Sequence, residues 1–229
     1  MIIAIDGPAG SGKSSTAALV AINLGILHLD TGAMYRAITL KCLRTGIGCS
    51  DLRAIDRVMK STTLSFTGSP PKMRLWMDNE DVSEAIRSDA VTKNVSDYCA
   101  IAIVREELVG LQRKIAKGQS VVCEGRDIGT VVFPHAELKF FMVASIEERA
   151  RRRQKDFERI GVKKDFHELE AEIAQRDLKD STRSNSPLTK ALDAEELDTT
   201  DMSLDEQVRY IVEKAQKLQN TEMSVNFNQ

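Results

Sequence analysis

The chain has 229 residues, of which 42% are hydrophobic and 29% charged, close to the globular average and unlike a disordered or fibrous protein. Its 32 basic and 34 acidic side chains nearly cancel, which excludes the broad basic face of a chain that works on nucleic acid or an anionic membrane. No apolar run approaches the ~20 residues of a spanning helix, and the leading Met-Ile-Ile-Ala-Ile lacks a basic leader, so a cytoplasmic location is expected. The spacing of Cys42, Cys49, Cys99 and Cys123 fits neither a disulfide framework nor a paired metal site, and Cys123 is expected as a buried free thiol.

Short apolar runs alternate with longer helical stretches, the pattern of an α/β fold with a parallel sheet between helical layers. Ile2 to Ile5 reads as a buried first strand, and Lys13 to Leu24 as a helix stopped by Gly25. Ile26 to Leu29 predicts a second strand and Ala33 to Arg44 a second helix. Residues 61–83 break the rhythm. Thr63 to Phe66 and Met73 to Asp78 alternate in polarity around Gly68-Ser69-Pro70-Pro71, predicting an inserted antiparallel hairpin in which Trp76 packs. A helix over Val104 to Lys117 and strands at Ser120 to Cys123 and Leu138 to Val143 follow. Residues 147–183 read as almost wholly helical and begin with Arg149, Arg151, Arg152, Arg153 and Lys155. Leu197 to Thr199 predicts the last strand and Leu204 to Leu218 the last helix. Residues 219–229, polar and without helical periodicity, read as a tail. The core then comprises 1–60, 84–146 and 184–218.

Gly7-Pro8-Ala9-Gly10-Ser11-Gly12-Lys13-Ser14 matches GxxxxGK[ST], between an apolar strand and a helix. Glycines let successive backbone N–H groups turn inward, and the helix adds its positive end to the same cavity. The pattern predicts a nucleoside triphosphate site built from Gly7 to Ser15. Lys13 reaches the β/γ-phosphates and the Ser14 hydroxyl holds Mg²⁺. Asp30 and Glu124 end strands beside this loop and are candidates for a Mg²⁺-bound water. There is no Asn-Lys-x-Asp guanine-reading motif, which argues against a GTPase. His28, His135 and His167 show no ligand spacing.

Two segments point to a second substrate. Asp30-Thr31-Gly32-Ala33-Met34-Tyr35-Arg36 opens a helix after the second strand, so Arg36 can project over the cleft at the strand ends. Glu124-Gly125-Arg126-Asp127-Ile128-Gly129 places an Arg-Asp pair between glycines at a sheet edge. A third landmark, Arg176-Asp177-Leu178-Lys179-Asp180-Ser181-Thr182-Arg183, ends the basic helical stretch and suggests a lid that brings arginines onto phosphates.

With IDGPAGSGKSS, LDTGAMYR, VREEL, CEGRDIGTVVFP, RDLKDSTRSNSPL and LDTTDMS in order along nearly the whole chain, the sequence resembles the bacterial cytidylate (CMP) kinases, a nucleoside monophosphate kinase branch of the P-loop proteins. The resemblance implies a P-loop core with a five-stranded parallel sheet, a CMP-binding insert at 61–83 and a helical lid at 147–183. By position it implies that Arg36, Arg126 and Arg183 grip the CMP phosphate and, with Lys13, form the catalytic set. Arg176 and Asp180 face the ribose, while Ser96, Arg105 and Asp127 read the cytosine edge with Thr31 nearby. Relatives with Ser at the position of Thr31 lack only its methyl.

The resulting expectation is in-line transfer of the γ-phosphoryl group of Mg·ATP to CMP or dCMP, by a monomer whose partners are small molecules. Two other readings remain open from the residues alone. One is a kinase of another acceptor, such as UMP, AMP or shikimate. The other is a nucleotide-dependent switch that hydrolyses ATP without regard to any acceptor.

Overall fold

Continuous rather than alternating apolar runs suit strands buried on both faces, and that is where these runs sit. A computed structural model of the chain describes residues 1–70, 72–159 and 161–226. In chain order the elements are β1 (Ile2–Asp6), α1 (Lys13–Leu24), β2 (Leu27–Asp30), α2 (Thr31–Arg44), α3 (Leu52–Ser61), β3 (Leu64–Thr67), β4 (Arg74–Met77) and β5 (Glu80–Asp81). Then come α4 (Asp89–Cys99), α5 (Ala102–Ala116), β6 (Val121–Gly125), β7 (Leu138–Val143), α6 (Ile146–Arg159), α7 (Phe166–Thr182), β8 (Glu195–Asp198) and α8 (Leu204–Asn226).

The main sheet has five parallel strands in the order β2-β6-β1-β7-β8. The period of two along each strand divides its side chains between two cores. Ala4, Leu29, Val121 and Cys123 face a cluster shared with α2, α3, α4 and α5. Ile3, Ile5, Val122, Phe140 and Met142 face α1 and α8. Each fully buried Ile or Met contributes about 1.5–3 kcal/mol relative to exposure. All four cysteines are free thiols, and burial pushes the Cys123 thiol well above its ordinary value.

The strands end together at Asp6, Asp30, Gly125 and Val143, so the loops that follow share one rim. Because β6 lies between β2 and β1, the Arg126-Asp127 pair is at this carboxyl rim and not at a sheet edge. The insert is three-stranded, in the order β3-β4-β5, where the sequence predicted a two-stranded hairpin. The Asp78 and Asn79 turn, both at positive φ, folds Glu80 and Asp81 back onto β4. Leu75, Met77 and Val82 pack on Ala33, Ala37 and Leu40 of α2. Trp76 takes the opposite face, half-buried, and its indole N–H donates to Thr67 Oγ1 at 2.8 Å.

Helices α6 and α7 make a helical hairpin around Ala150, Leu169 and Ile173. Residues 219–226, expected as a tail, continue α8. The segment contains neither Gly nor Pro, and an established helix propagates through polar residues without needing an apolar face. Residues 227–229 lie outside the described residues. Among the described residues, no helix is long and apolar enough to cross a membrane.

Candidate active site

The loop from Gly7 to Gly12 works because its backbone reaches conformations that favour glycine. Gly7 has φ 147°, and a Cβ there would lie 2.0 Å from Met142 O, a backbone atom of the neighbouring strand. Gly12 (φ 93°) caps α1 with no side chain, whereas Asp30 and Asp51 cap α2 and α3 with carboxylates. The first N–H groups of α1 are thereby left to a ligand, with the positive helix end behind them. Lys13 is 4% exposed, and its Nζ donates to Pro8 O at 2.6 Å and to Ser11 Oγ at 3.1 Å. Burial and the charge of Arg126 push the Lys13 ammonium well below its ordinary value, so an anion in the loop restores what the fold removes.

Ser14 and Glu124 meet across the loop, Ser14 Oγ donating to Glu124 Oε2 at 2.7 Å. Glu124 Oε1 is buried without a hydrogen-bond partner among the described residues and lies 3.5 Å from His28 Nε2. Burial pushes the Glu124 carboxyl up, but His28, Lys13 and Ser14 outweigh it and hold Glu124 below its ordinary value. Asp30 goes the other way, raised by burial and by Glu124, and its Oδ1 is occupied as cap of Ala33 N–H at 2.9 Å. Among the described residues no cluster of three Asp, Glu, His or Cys forms a metal cage. One hydroxyl and an ionised carboxylate with a free lone-pair oxygen suit Mg²⁺, which keeps most of its shell for phosphate and water.

The acceptor side is a lattice of arginines and two aspartates. Arg126 Nε donates to Asp180 Oδ2 at 2.8 Å, and Arg176 Nε lies 4.0 Å from the same oxygen. Arg36, Arg126 and Arg176 stand near enough to repel. Burial first, then the charges of Arg126 and Arg36, lower Arg176 to about 10. Burial pushes Asp180 up, but Arg126 and Arg176 hold it below its ordinary value. Arg36 Nη1 donates to Thr92 Oγ1 (3.0 Å) and Ile86 O (3.3 Å).

Beside this anion-seeking group stands Asp127, 4% exposed. Arg105, also 4% exposed, donates its Nη2 to Asp127 Oδ2. Arg183 Nη2 is 3.9 Å from Asp127 Oδ1, and its Nε donates to Ser186 O at 2.7 Å. Arg105 Nε and Arg183 Nη2 are buried without hydrogen-bond partners among the described residues. Ser96 Oγ lies 3.5 Å from Asp180 Oδ1 and so meets the residue expected at the ribose rather than Asp127. Thr31 Oγ1 donates to Glu124 O at 2.7 Å, which holds α2 beneath the Arg126 segment. No candidate residue lies in the 61–83 insert, whose described residues pack against α2.

Two supports escaped the sequence reading. Asp6, the last residue of β1, accepts the N–H groups of Ile128 and Gly129, both at 2.7 Å, and so fixes the π-helical turn Ile128–Val132 that follows Asp127. Asp177 pairs with Arg149 Nη1, which donates to Ala9 O at 3.2 Å, while Ala9 N–H donates to Asp177 Oδ1 at 3.4 Å. The i,i+3 spacing of Asp177 and Asp180 puts both on one face of α7, the only sequence signal for the first of them.

A family model described as cytidylate kinase matches residues 3–217 of this chain. A cytidylate kinase from Fusobacterium nucleatum is 45% identical over 218 residues, covering 95% of this chain and 98% of that protein. One from Pelotomaculum thermopropionicum is 48% identical over 211 residues, covering 92% and 93%. One from Streptococcus pyogenes is 49% identical over 217 residues, covering 94% and 96%. Among solved structures, a gluconokinase from Sinorhizobium meliloti matches with a TM-score of 0.50 at 14% identity over 97% of this chain and 95% of that one, a likeness of fold alone.

Proposed function

This chain belongs to the cytidylate kinase family and is a phosphotransferase, and we propose that it carries the γ-phosphoryl group of ATP to CMP or dCMP by in-line displacement, with Mg²⁺ on the donor. The observation that carries the proposal is the crowding of Arg126, Arg176 and Arg183 around Asp180, an excess of positive charge that an acceptor phosphate neutralises.

The acceptor oxygen is already anionic at neutral pH, so the reaction needs no strong base. Catalysis rests on position and charge. Lys13 and the N–H groups at the start of α1 bind the donor phosphates. Ser14 and Glu124 would hold Mg²⁺, which supplies Lewis-acid charge to those phosphates when bound. Arg36, Arg126 and Arg183 offset the repulsion between two anionic substrates. Asp127 accepts from the exocyclic amino group of cytosine and Arg105 donates to its ring acceptor, complementing the base. Arg176 and Asp180 meet the sugar, and α6 with α7 act as a lid that excludes water from the transfer. On this reading the insert shapes the acceptor side through α2, and the enzyme is a cytoplasmic monomer working on small molecules.

The test is ADP release from Mg·ATP with CMP, dCMP, UMP, AMP or shikimate supplied separately. Strong turnover with CMP and dCMP, weaker with UMP and none with the others, is expected. Turnover indifferent to every acceptor would overturn the proposal in favour of an ATP-hydrolysing switch.

A further inference from the structure

Thr31 and Tyr35 are one turn apart on α2 and so project from one face of it towards the rim. Tyr35 is 7% exposed, and its hydroxyl has no hydrogen-bond partner among the described residues. A buried phenol normally finds one. Its ring lies under the Arg105 guanidinium, 5.3 Å from Cζ to the ring centroid. The charged groups that act on its hydroxyl include Arg105, Asp127 and Arg183, the cluster proposed to meet the acceptor base.

Arg105 is thereby held on three sides. One edge meets Asp127, Nη1 donates to Cys99 O at 3.3 Å, and the guanidinium carbon lies over the Tyr35 ring. A guanidinium reads a planar partner only if its own plane is fixed, because its donors lie in that plane. Hydrogen bonds along the edge leave the plane free to tilt, and an aromatic ring against the face removes that freedom.

We infer that Tyr35 is a positioning residue for base discrimination: its ring sets the plane of the Arg105 guanidinium against Asp127, and its free hydroxyl completes the polar wall facing the acceptor base. This inference rests on the CMP reading of the site. Arg105 and Asp127 present one donor and one acceptor at fixed places, which fits a 4-amino pyrimidine and mismatches a 4-oxo one. A tilted Arg105 weakens the match to CMP more than it weakens the existing mismatch to UMP.

The experiment measures kcat and KM for CMP and for UMP in the wild type, Tyr35→Phe and Tyr35→Leu, with melting temperature and KM for ATP alongside. Tyr35→Leu is expected to lower the CMP-to-UMP ratio of kcat/KM about tenfold, mostly through KM for CMP, with KM for ATP unchanged. Tyr35→Phe keeps the ring and is expected to lose about threefold, which gives a folded variant should Tyr35→Leu fail to fold. A merely structural role would lower melting temperature and both activities together. With a selective wild type, an unchanged ratio in Tyr35→Leu would overturn the ring's role and an unchanged ratio in Tyr35→Phe the hydroxyl's, leaving the substrate reading intact. A wild type indifferent to CMP would bring down the substrate reading and this inference with it.

Discussion

Asp180 on α7 holds Arg126 at the rim of the sheet through a 2.8 Å hydrogen bond between residues 54 positions apart. The carboxylate keeps a half-buried guanidinium ionised and aimed before any phosphate arrives, at the expense of one of its donors. Arginines acting on a transferring phosphoryl group are worth roughly 10³–10⁵ in rate. Arg126→Met is therefore expected to lower kcat/KM for CMP by at least about a hundredfold, whereas Asp180→Asn, which keeps Arg126 in place, acts more weakly and mainly on KM. A loss under about tenfold for Arg126→Met, only ~1.4 kcal/mol, would remove Arg126 from its proposed role.

Asp177 occupies a donor of the phosphate-binding loop, since Ala9 N–H points to its Oδ1, and it pairs with Arg149 from α6. An anion in this place competes with the polyphosphate for the same cations. Asp177→Asn keeps the shape and removes the charge, and is expected to lower KM for ATP about threefold to tenfold, the scale of one partly exposed ion pair. Equilibrium titration with ATP checks this. An unchanged or higher dissociation constant would show that Asp177 only braces α7.

Burial raises Asp6 from 3.8 to about 6, against the opposing hydrogen bonds from Gly129 and Ile128. A carboxyl whose folded value is raised binds its proton more tightly in the folded state, so its contribution to stability is present below pH ~4 and lost as pH rises to about 6. The span is about 3 kcal/mol. Urea unfolding of the wild type and Asp6→Asn at intervals from pH 4 to pH 7 should show the stability difference shifting against the wild type by that order, then levelling. Parallel curves would show that Asp6 carries no such shift.

Gln112 on α5 is 0% exposed, and neither amide atom has a hydrogen-bond partner among the described residues. Its neighbours one turn away, Leu108 and Ala116, belong to the core under α5. Replacing the unpaired amide by a thioether of similar shape removes a desolvation penalty. Gln112→Met is expected to raise stability by about 1 kcal/mol, a melting temperature increase of a few degrees, with catalysis untouched. A drop in melting temperature would show that the amide is satisfied by water in solution.

The sequence by itself determined the local pieces. Lys13 to Leu24 with its Gly25 stop, the phosphate-binding loop, and the run Leu138–Val143 are dictated by periodicity, glycine and capping, all properties of neighbours along the chain. Arg36, Arg126 and the 176–183 segment stood out from their place beside strands and in a basic helical stretch, but Ser96 and Arg105 were legible only through family motifs, since nothing in local spacing distinguishes Arg105 from a solvent-facing helix residue. Tertiary structure decided what meets what. The strand order put the Arg126-Asp127 pair inside the rim, and ion pairs spanning 22, 54 and 28 residues joined Arg105 to Asp127, Arg126 to Asp180 and Arg149 to Asp177. Folding the sheet also set Asp6 under Ile128 and Gly129 and brought Tyr35 beneath Arg105. A period of 2 or 3.6 states which face of an element is buried, but the identity of the groups across that face follows from packing the elements together, which no spacing along one segment encodes.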